Sequence, residues 1–320
     1  MQRILEPGEI QALDATAWPR VALPERVSVF AARAKRLREL ADGNSIGGYL
    51  RLMAVLVDAQ HAVLAGLGEP VVDTASMRLA QQHGMPIVPA ISASLNPQWR
   101  AVLAELIARI EASSSATGAP ASFASVLARL RRMSATELDA QAAAQLDRDL
   151  DTVDPALAPF IHAALEVMWT QRACALAPED MPYLDAPGLC LVCGSPPVAS
   201  IVRVGGAFDG YRYLQCSLCA TQAHCVRVKC SNCSSTKGIA YQSIEGSPEG
   251  TRAESCDECH SYRKIFAQNK LYDAEPFADD LASLALDLMM NQAGYSRPDP
   301  HPFLWPARGD EDEENEEDDA

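Results

Sequence analysis

The sequence has few aromatic residues and no long apolar run. Aromatic side chains make up 6% of its 320 residues, and no apolar stretch approaches the roughly 20 residues that a membrane-spanning helix needs. Its first residues, MQRILEPGEI, also lack the apolar segment of a secretory signal. These absences predict a cytoplasmic protein without membrane insertion, in a compartment where structural disulfides are rare.

The motifs of the common enzyme classes are missing as well. The first half of the chain contains no phosphate-binding glycine loop, no HExxH sequence and no nucleophile elbow. The histidines there, His61, His83 and His162, stand alone, whereas metal ligands need partners at a defined spacing. Since no general acid–base pair or nucleophile arrangement is visible, we expect a protein that is not an enzyme and has no catalytic residues.

Negative charge is in excess and is concentrated at the end of the chain. The formal net charge is −15, and nine of the ten residues 310–319, DEDEENEEDD, are acidic. Such a block repels itself, so we predict that residues 307–320 form a disordered acidic tail. Without this block the net charge is about −6, and the overall acidity argues against a nucleic-acid partner.

Alanine-rich amphipathic segments fill residues 1–175, which we predict to be an α-helical domain. Apolar residues recur at helical spacing in ERVSVFAARAKRLRELADG, GGYLRLMAVLVDAQHAVLAGL and NPQWRAVLAELIARIEA. Gly43 is expected to end the first of these helices. Ser134 and Glu137 form a capping-box pattern that predicts the start of another helix.

Small residues and prolines mark the boundaries between these elements. Residues 113–122, SSSATGAPAS, predict a loop. Asp154 can cap the next helix, but Pro159 would then lie inside it, where a proline costs about 3 kcal/mol. Pro159 therefore either starts or kinks this helix. Three further prolines lie in residues 175–188 and predict an interdomain linker, which we place at 176–188.

All ten cysteines lie after residue 173, and eight of them form CxxC pairs. The pairs are Cys190 with Cys193, Cys216 with Cys219, Cys230 with Cys233, and Cys256 with Cys259. The first four cysteines recur 40 positions later, so this part of the chain is duplicated. Because each copy has β-type runs around a glycine-rich turn, we predict two four-cysteine β modules at 189–228 and 229–275. The remaining cysteines, Cys174 and Cys225, are expected to pack as small apolar side chains.

The spacing of the cysteines favours metal binding over redox chemistry of a dithiol. Two CxxC pairs that a hairpin brings together can surround one tetrahedral metal ion. A single CxxC pair would leave a thioredoxin-like dithiol as a rival, but four pairs without a βαβ context do not fit that class. A site of four cysteines suits zinc or a single iron, and the residues do not decide between these metals.

The duplication predicts that each copy closes its own site, and interleaved pairing between the copies is the alternative. Gly194 suits the tight turn after the first CxxC pair, whereas Ser234 at the equivalent position is less suitable. A small ribbon has almost no hydrophobic core. The metal is therefore expected to supply the folding energy of each module, on the order of 10 kcal/mol per site.

Each copy continues into a third predicted strand, at 224–229 in the first copy and at 264–269 in the second. His224 aligns with Lys264 and is therefore expected to be exposed. Beyond the second copy, residues 276–306 predict a C-terminal helix and an extended segment. The residues expected on one face of this helix are Leu281, Leu284, Ala285 and Leu288. This face is expected to pack on the ribbons or on the helical domain.

Together these motifs resemble the formate dehydrogenase accessory protein (FdhE) family. The resemblance rests on the four CxxC pairs, on RYLQCSLC, on DDLASLALDL followed by GY, and on FAARAKRLRELADG followed by YL. It covers most of residues 27–304. It implies an α+β fold, in which an all-α domain precedes tandem rubredoxin-like or zinc-ribbon-like modules of four cysteines each and a C-terminal helix.

The resemblance also implies a function. Members are similar in acting as cytoplasmic maturation factors, which bind the catalytic subunit of respiratory formate dehydrogenase and support its assembly. They do not turn over formate. The resemblance implies two mononuclear iron sites on the eight cysteines of the CxxC pairs, with zinc as the alternative metal. The surface between the helical domain and the modules is the expected client contact, and homodimerisation stays open.

Two other functions remain as alternatives. A rubredoxin-like electron-transfer or thiol-redox protein would carry reducible iron in the same sites. A zinc-ribbon adaptor would use the basic residues near the modules, which are Arg203, Arg212, Arg227, Lys229 and Lys237. Since these residues form no long basic stripe, nucleic acid is the less favoured partner.

Overall fold

The computed structural model describes residues 19–71, 73–117, 121–183 and 188–306. Its first part is helical and its second part is a sheet followed by short helices, so the predicted α+β class is confirmed. The helices are α1 (Val29–Ala41), α2 (Gly47–Gly66), α3 (Thr74–His83), α4 (Gln98–Thr117), α5 (Ala121–Arg132), α6 (Ala135–Asp147), α7 (Ala158–Ala173), α8 (Pro276–Ala282) and α9 (Leu284–Gln292). The strands are β1 (Val21–Ala22), β2 (Pro197–Val202), β3 (Arg212–Cys216), β4 (Gln222–His224), β5 (Ile239–Gln242), β6 (Thr251–Cys256) and β7 (Ser261–Ala267). The predicted acidic tail at 307–320 lies outside the described residues.

The predicted helix boundaries are partly confirmed. The capping box forms: Ser134 Oγ accepts from the Glu137 amide at 3.3 Å, and the Glu137 carboxylate accepts from the Ser134 amide at 2.7 Å. The loop predicted at 113–122 is wrong over most of its length, since α4 continues to Thr117 and α5 begins at Ala121. Alanine is the strongest helix former and serine a tolerable one, so this run of small residues extends a helix instead of breaking it.

Pro159, rather than Asp154, marks the start of α7. The proline lies in the first turn of the helix, where its missing N–H leaves no hydrogen bond unmade. Asp154 caps a preceding turn instead, where its carboxylate accepts from the Ala156 amide at 2.9 Å. Every residue of α7 except Arg172 is buried. This helix packs against α2, α4 and α6 and is the centre of the helical part.

The two cysteine-rich copies share one seven-stranded sheet. The strand order is β1-β4-β3-β2-β7-β6-β5. Within each copy neighbouring strands are antiparallel, and the copies join through a parallel pairing of β2 with β7. In this pairing Ser200 lies opposite Ile265 and Val202 lies opposite Ala267. The modules are therefore connected by main-chain hydrogen bonds, not only by sequence.

The third strands of the two copies differ in length. The second copy has the long strand β7, which pairs on both sides. The strand predicted at 224–229 is wrong: β4 ends at His224, and the chain then turns toward the second module. Val226 and Val228, whose β-propensity suggested a strand, are more than half exposed. At the outer edge β4 pairs with the two-residue strand β1, which comes from the start of the helical part and which the sequence pattern did not reveal.

The single C-terminal helix predicted from the sequence is two helices with a break at Ser283. The Ser283 hydroxyl donates to the Asp279 carbonyl at 2.7 Å, and Lys264 Nζ donates to the Asp280 carbonyl at 2.6 Å. These side chains replace helical main-chain hydrogen bonds, so the helix axis can change direction there. The predicted face is wrong beyond Leu281, because Leu286 and Met290 are the buried apolar residues of α9.

One hydrophobic core extends across both parts of the chain. It joins α1, α2, α4 and α7 to the first pair of CxxC motifs and to α8, where Phe277 is fully buried. Phe303 of the C-terminal segment is also fully buried and packs on Phe277, with 4.9 Å between the ring centroids. The expectation of a nearly coreless ribbon is therefore wrong for the first module. None of the described helices combines the length and the apolar character that crossing a membrane would require.

Candidate metal centres

Each CxxC pair lies on a tight turn with the same backbone geometry. The residue after the second cysteine has a positive φ in all four turns: 78° at Gly194, 59° at Ala220, 65° at Ser234 and 50° at His260. Only the first of these residues is glycine, and a non-glycine residue in this region costs roughly 1–2 kcal/mol. The strained turns direct both sulfurs of a pair to the same side.

The cysteines of the first copy form one group, hereafter the first thiolate cluster. Its members are Cys190, Cys193, Cys216 and Cys219, and their sulfurs all lie within 4.8 Å of one another. The closest approaches are 3.5 Å between Cys190 Sγ and Cys219 Sγ and 3.4 Å between Cys193 Sγ and Cys216 Sγ. A hairpin of β2 and β3 thus brings the two ends of one copy together, in the sequential grouping that the duplication predicts.

The other four cysteines form the second thiolate cluster with the same arrangement. Its members are Cys230, Cys233, Cys256 and Cys259, again with all sulfurs within 4.8 Å. Cys230 Sγ lies 3.8 Å from Cys259 Sγ, and Cys233 Sγ lies 3.7 Å from Cys256 Sγ. Each cluster therefore contains cysteines of a single copy, and the interleaved alternative is not the arrangement found.

Both clusters have the dimensions of a tetrahedral thiolate site. Metal–sulfur bonds of about 2.3 Å place tetrahedral sulfurs about 3.8 Å apart, close to the separations found in both clusters. A disulfide would need sulfurs about 2 Å apart, and all ten cysteines are free thiols. The donor set fits zinc or a single iron, and the geometry does not identify which.

Backbone amides already point at the sulfurs of the first cysteine in a pair. In the first cluster the amides of Leu218 and Cys219 donate to Cys216 Sγ, both at 3.4 Å. In the second cluster the amides of Asn232 and Cys233 donate to Cys230 Sγ at 3.4 and 3.5 Å. Such hydrogen bonds stabilise negative charge on sulfur and tune a bound metal.

The electrostatics of the first cluster favour a thiolate at Cys193. Burial opposes ionisation of Cys216 and Cys219, and it raises their pKa well above the usual value of a thiol. Burial also acts on Cys193, yet hydrogen bonds from the three partner thiols outweigh it and hold its pKa well below the usual value. Without a cation, further negative charge in this enclosed space is costly.

The second cluster is more open to solvent. Cys233 is exposed and Cys259 is half-buried, whereas all four cysteines of the first cluster are buried. Burial opposes ionisation of Cys259, but hydrogen bonding from Ser261 and other neighbours lowers its pKa to about 6. Burial raises the pKa of Cys256 to about 12.

The helical part covers the first cluster directly. The amides of Val88 and Ala90 donate to the carbonyls of Val192 and Cys193, both at 2.8 Å. From α7, His162 Nε2 donates to the Ser217 carbonyl at 3.0 Å. Burial lowers the pKa of His162 to about 4, so this ring is neutral at pH 7. The segment 86–90 carried no sequence signal for this contact, and His162, which stood alone in the sequence, is a packed residue and not a ligand.

A buried ion pair connects the two copies. Arg212 of β3 forms a salt bridge with Glu254 of β6 at 2.7 Å, and both side chains are buried. The same guanidinium donates to Ser200 Oγ at 3.0 Å. Arg212 is therefore unavailable to a nucleic acid, which removes one of the basic residues that an adaptor would use. The repeat places Arg252 at the equivalent position of the second copy, but Arg252 is exposed, so the sequence carried no signal for the buried pair.

The alignment of His224 with Lys264 predicted that His224 would be exposed, but the two residues have different environments. His224 is half-buried, but Lys264 is fully buried and pairs with Asp287 at 2.7 Å and with Asp280 at 3.3 Å. The lysine meets these acids because α8 and α9 cover its end of the sheet, whereas no equivalent helices follow the first copy. Cys225 is also only half-buried, and burial raises its thiol pKa.

Comparisons with known proteins agree along the chain. The family model "FdhE, N-terminal" matches residues 18–185, "FdhE, central domain" matches 189–227, and "FdhE, C-terminal domain" matches 228–304. The central match contains the first thiolate cluster, and the C-terminal match contains the second.

Full-length relatives and a solved structure show the same similarity. The "Protein FdhE homolog" of Cronobacter sakazakii is 38% identical over 312 residues, which are 96% of this chain and 99% of the relative. "Protein FdhE" of Salmonella arizonae is 38% identical over 306 residues, 95% of this chain and 97% of the relative. The crystal structure of the FdhE protein from Pseudomonas aeruginosa matches with a TM-score of 0.77 and 35% identity, covering 90% of this chain and 100% of that chain.

Proposed function

The chain belongs to the FdhE family, and from this premise we propose that it is an accessory factor for respiratory formate dehydrogenase. It binds the catalytic subunit of that enzyme in the cytoplasm and supports assembly of the active enzyme. The observation that carries the proposal is the pair of thiolate clusters, each preformed by one copy of the duplicated segment, in a chain that the three family models match from residue 18 to residue 304.

The eight cysteines hold two mononuclear metals in this proposal, one in each cluster. Iron is the proposed metal and zinc is the alternative. Bound iron would supply one-electron redox chemistry, whereas bound zinc would act structurally. The chain's own contribution is to gather the sulfurs, to direct amides at Cys216 and Cys230, and to bury the first cluster.

We assign the protein no reaction of its own. Several of its buried charged side chains are neutralised by one another. Arg33 pairs with Glu166 and Glu275, Arg212 pairs with Glu254, and Lys264 pairs with acids of α8 and α9. Groups held in this way stabilise contacts between elements and do not face a substrate. This supports a binding and maturation role rather than turnover.

A cleft between the helical part and the first module is the proposed client contact. Its volume is about 190 Å³, and it lies where Leu165 of α7, the turn at Gly194, and Trp305 of the C-terminal segment meet. Leu218, between the cysteines of the second CxxC pair, lines it as well. A client that fills this cleft touches both the helical part and the turns that carry the first thiolate cluster.

The proposal is tested by anaerobic affinity capture with metal analysis of the same sample. We expect the full chain to retain the catalytic subunit of formate dehydrogenase and to carry about two metal ions, as two tetrahedral sites require. Leu150 also lines the cleft and is about half exposed. Leu150→Glu therefore places a charge in the cleft without removing a ligand or disturbing the core, and it should reduce capture while the metal content stays unchanged. Metal-loaded protein that retains no catalytic subunit would contradict the proposal.

The exposure of the second cluster favours electron transfer as a second candidate function. Cys233 is exposed and Cys259 is half-buried, so a redox partner can come close to a metal held there. The iron form would then be coloured and reversibly reducible. A colourless protein that contains only zinc would eliminate this candidate and leave the accessory role untouched.

A further inference from the structure

A second cleft lies in the helical part, away from the contact between that part and the ribbons. Its volume is about 230 Å³, and it is bordered by Pro70, Val71 and Asp73 between α2 and α3, by the segment after α3 and by the end of α7. Most of its walls are apolar, formed by Pro70, Val71, Met77, Ile87, Val88, Pro89 and Leu176. We call it the Arg172 cleft, after the cationic side chain that lines it.

Arg172 is exceptional among the enclosed arginines of this protein. It is the residue of α7 that is not buried, and desolvation lowers the pKa of its guanidinium. Arg33, Arg212 and Arg297 pair with carboxylates, and the buried Arg263 donates to Ser231 Oγ and to the Pro197 carbonyl. Arg172 forms no ion pair or hydrogen bond within the part of the chain that the structure describes. Its one marked contact is the face of Trp169, with 5.4 Å between the guanidinium carbon and the ring centroid.

The acid in the same cleft does not serve as the missing partner. Asp73 caps α3: its carboxylate accepts from the Ala75 amide at 3.0 Å and from Ser76 Oγ at 2.6 Å. Its charge is thus stabilised by the amino terminus of its own helix. A partly desolvated cation without an anion is unfavourable, so the cleft is complementary to a negatively charged group from outside.

We propose that the Arg172 cleft binds an acidic residue of an extended polypeptide segment, with the carboxylate on Arg172 and a neighbouring apolar side chain against the cleft walls. A planar guanidinium recognises a carboxylate through paired hydrogen bonds. The volume is below the roughly 300–1,000 Å³ of pockets for drug-sized molecules, so one or two side chains fit better than a large cofactor. The inference rests on the proposed function in taking the segment from the client.

Hydrogen bonds connect the wall of the cleft to the first thiolate cluster. Val88 lines the cleft and donates its amide to the carbonyl of Val192, between the cysteines of the first CxxC pair, at 2.8 Å. The indole N–H of Trp169 donates to the Val88 carbonyl at 3.0 Å. A ligand on Arg172 therefore binds the guanidinium that lies over this ring, and the indole N–H that is fixed to the cleft wall can report binding.

The test is a titration of the full-length protein with ¹⁵N-labelled tryptophan, followed by the indole N–H resonances in NMR spectra. The probes are the capped dipeptides N-acetyl-Leu-Glu-amide and N-acetyl-Leu-Gln-amide, which differ in one charge. We expect the glutamyl probe to shift the Trp169 resonance saturably and to bind about tenfold more tightly than the glutaminyl probe, because a charged hydrogen bond is the only difference.

Three variants make the test decisive, and acetate serves as a third probe. Arg172→Met should abolish the preference for the glutamyl probe, and Arg172→Lys should retain part of it. Arg109→Met removes an exposed cation of α4 that lines neither cleft, and it should leave the preference unchanged. Unaltered resonances of the other tryptophans show that each variant is folded.

Several outcomes would overturn the inference. These are equal binding of the two dipeptides, an undiminished preference in Arg172→Met, and acetate binding as tightly as the glutamyl probe, since the last would leave the apolar walls without a role. Because the titration contains no client, its result does not depend on capture of formate dehydrogenase. Failure of that capture would remove the proposed function alone.

Discussion

The two thiolate clusters have the same spacing, the same turns and the same amide–sulfur hydrogen bonds, but they lie in opposite environments. The four cysteines of the first cluster belong to the main hydrophobic core. In the second cluster Cys233 is exposed and Cys259 is half-buried. The duplicated sequence therefore determines how sulfurs are gathered, whereas the elements packed around each copy determine whether the site is a core element or a surface element.

The cover of the first cluster comes from outside its own module. Val88 and Ala90 donate amides to it, and α7 supplies His162. The second copy instead packs its sheet against α9 through a small cluster around Tyr262, Leu286 and Met290. The first cluster thus lies in the contact between the helical part and the sheet. The second cluster is accessible to solvent and to binding partners.

The largest expected difference between the clusters follows from loss of one ligand. Cys216→Ser removes a ligand from the core site, whereas Cys256→Ser removes its repeat equivalent from the open site. A structural metal site contributes on the order of 10 kcal/mol of folding free energy. We expect Cys216→Ser to lose cooperative unfolding of the helical part, and Cys256→Ser to lose one metal ion while that unfolding persists.

Calorimetry and metal analysis of the two purified proteins provide the measurement. Cys174→Ser, which alters a thiol outside both clusters, serves as the control and should retain both ions. Since β2 pairs with β7, some destabilisation should spread between the modules. Equal effects of Cys216→Ser and Cys256→Ser would show that the difference in burial has no energetic consequence.

The next difference is between two arginines that occupy equivalent positions in the two copies. Arg212 is buried and paired with Glu254, but Arg252 is exposed. Arg212→Met leaves a buried, unpaired carboxylate and should lower the free energy of unfolding by about 3–5 kcal/mol, whereas Arg252→Met should change it by less than about 0.5 kcal/mol. Chemical denaturation measures both values.

A double variant separates the pair from its packing. Arg212→Met combined with Glu254→Leu removes both charges, and we expect it to recover much of the lost stability. If the double variant were as unstable as Arg212→Met alone, the loss would come from packing of the long side chain. The different effects of the Arg212 and Arg252 substitutions on the free energy of unfolding would then come from packing and not from charge.

Acidification should also distinguish the two clusters. Burial, with Arg33 acting in the same sense and Cys193 in the opposite sense, lowers the pKa of His162 to about 4. Unfolded histidine titrates near 6.5, so the unfolded chain gains a proton between about pH 6.5 and 4 that the folded chain does not. The contribution of neutral His162 is complete above this range and is lost as the pH falls, by about 3 kcal/mol at pH 4.

His162→Gln preserves a donor to the Ser217 carbonyl and removes the titration. The free energy of unfolding of this variant should therefore decrease less than that of the wild type between pH 6.5 and 4. His260→Gln, which replaces a histidine beside the open cluster, serves as the comparison variant. Parallel pH profiles for His162→Gln and the wild type would contradict the assignment of His162 as a buried neutral residue.

Local features of this fold were predictable from the sequence. The capping box at Ser134 needs only its own four residues, and the duplication shows which cysteines share a turn and a hairpin. The α+β class follows from helical periodicity in one half and strand signals in the other. In each case the information lies within one element or one repeat, where spacing and local geometry are sufficient.

Features that depend on distant packing were not predictable in this way. The alignment of His224 with Lys264 gave no sign that α8 and α9 would bury the lysine among acids. The break at Ser283 depends on that same lysine, which satisfies carbonyls that a continuous helix would use. Nor does the repeat indicate which copy the helical part covers, because the contact is made by Val88 and Ala90, far away in the sequence.

The smallest expected difference concerns the residue after the second cysteine in each copy. Gly194 has a φ of 78°, and a Cβ there would lie 3.1 Å from Cγ of Pro86, so Gly194→Ala should cost about 1–2 kcal/mol or more. Ser234 has a φ of 65°, and its buried hydroxyl has no hydrogen-bond partner in the described part of the chain. Ser234→Gly relieves both penalties and should stabilise the protein by up to about 1 kcal/mol after the entropic cost of glycine. Thermal unfolding of the metal-loaded variants should therefore shift in opposite directions, and a loss of stability in Ser234→Gly would mean that the serine side chain supports the open cluster.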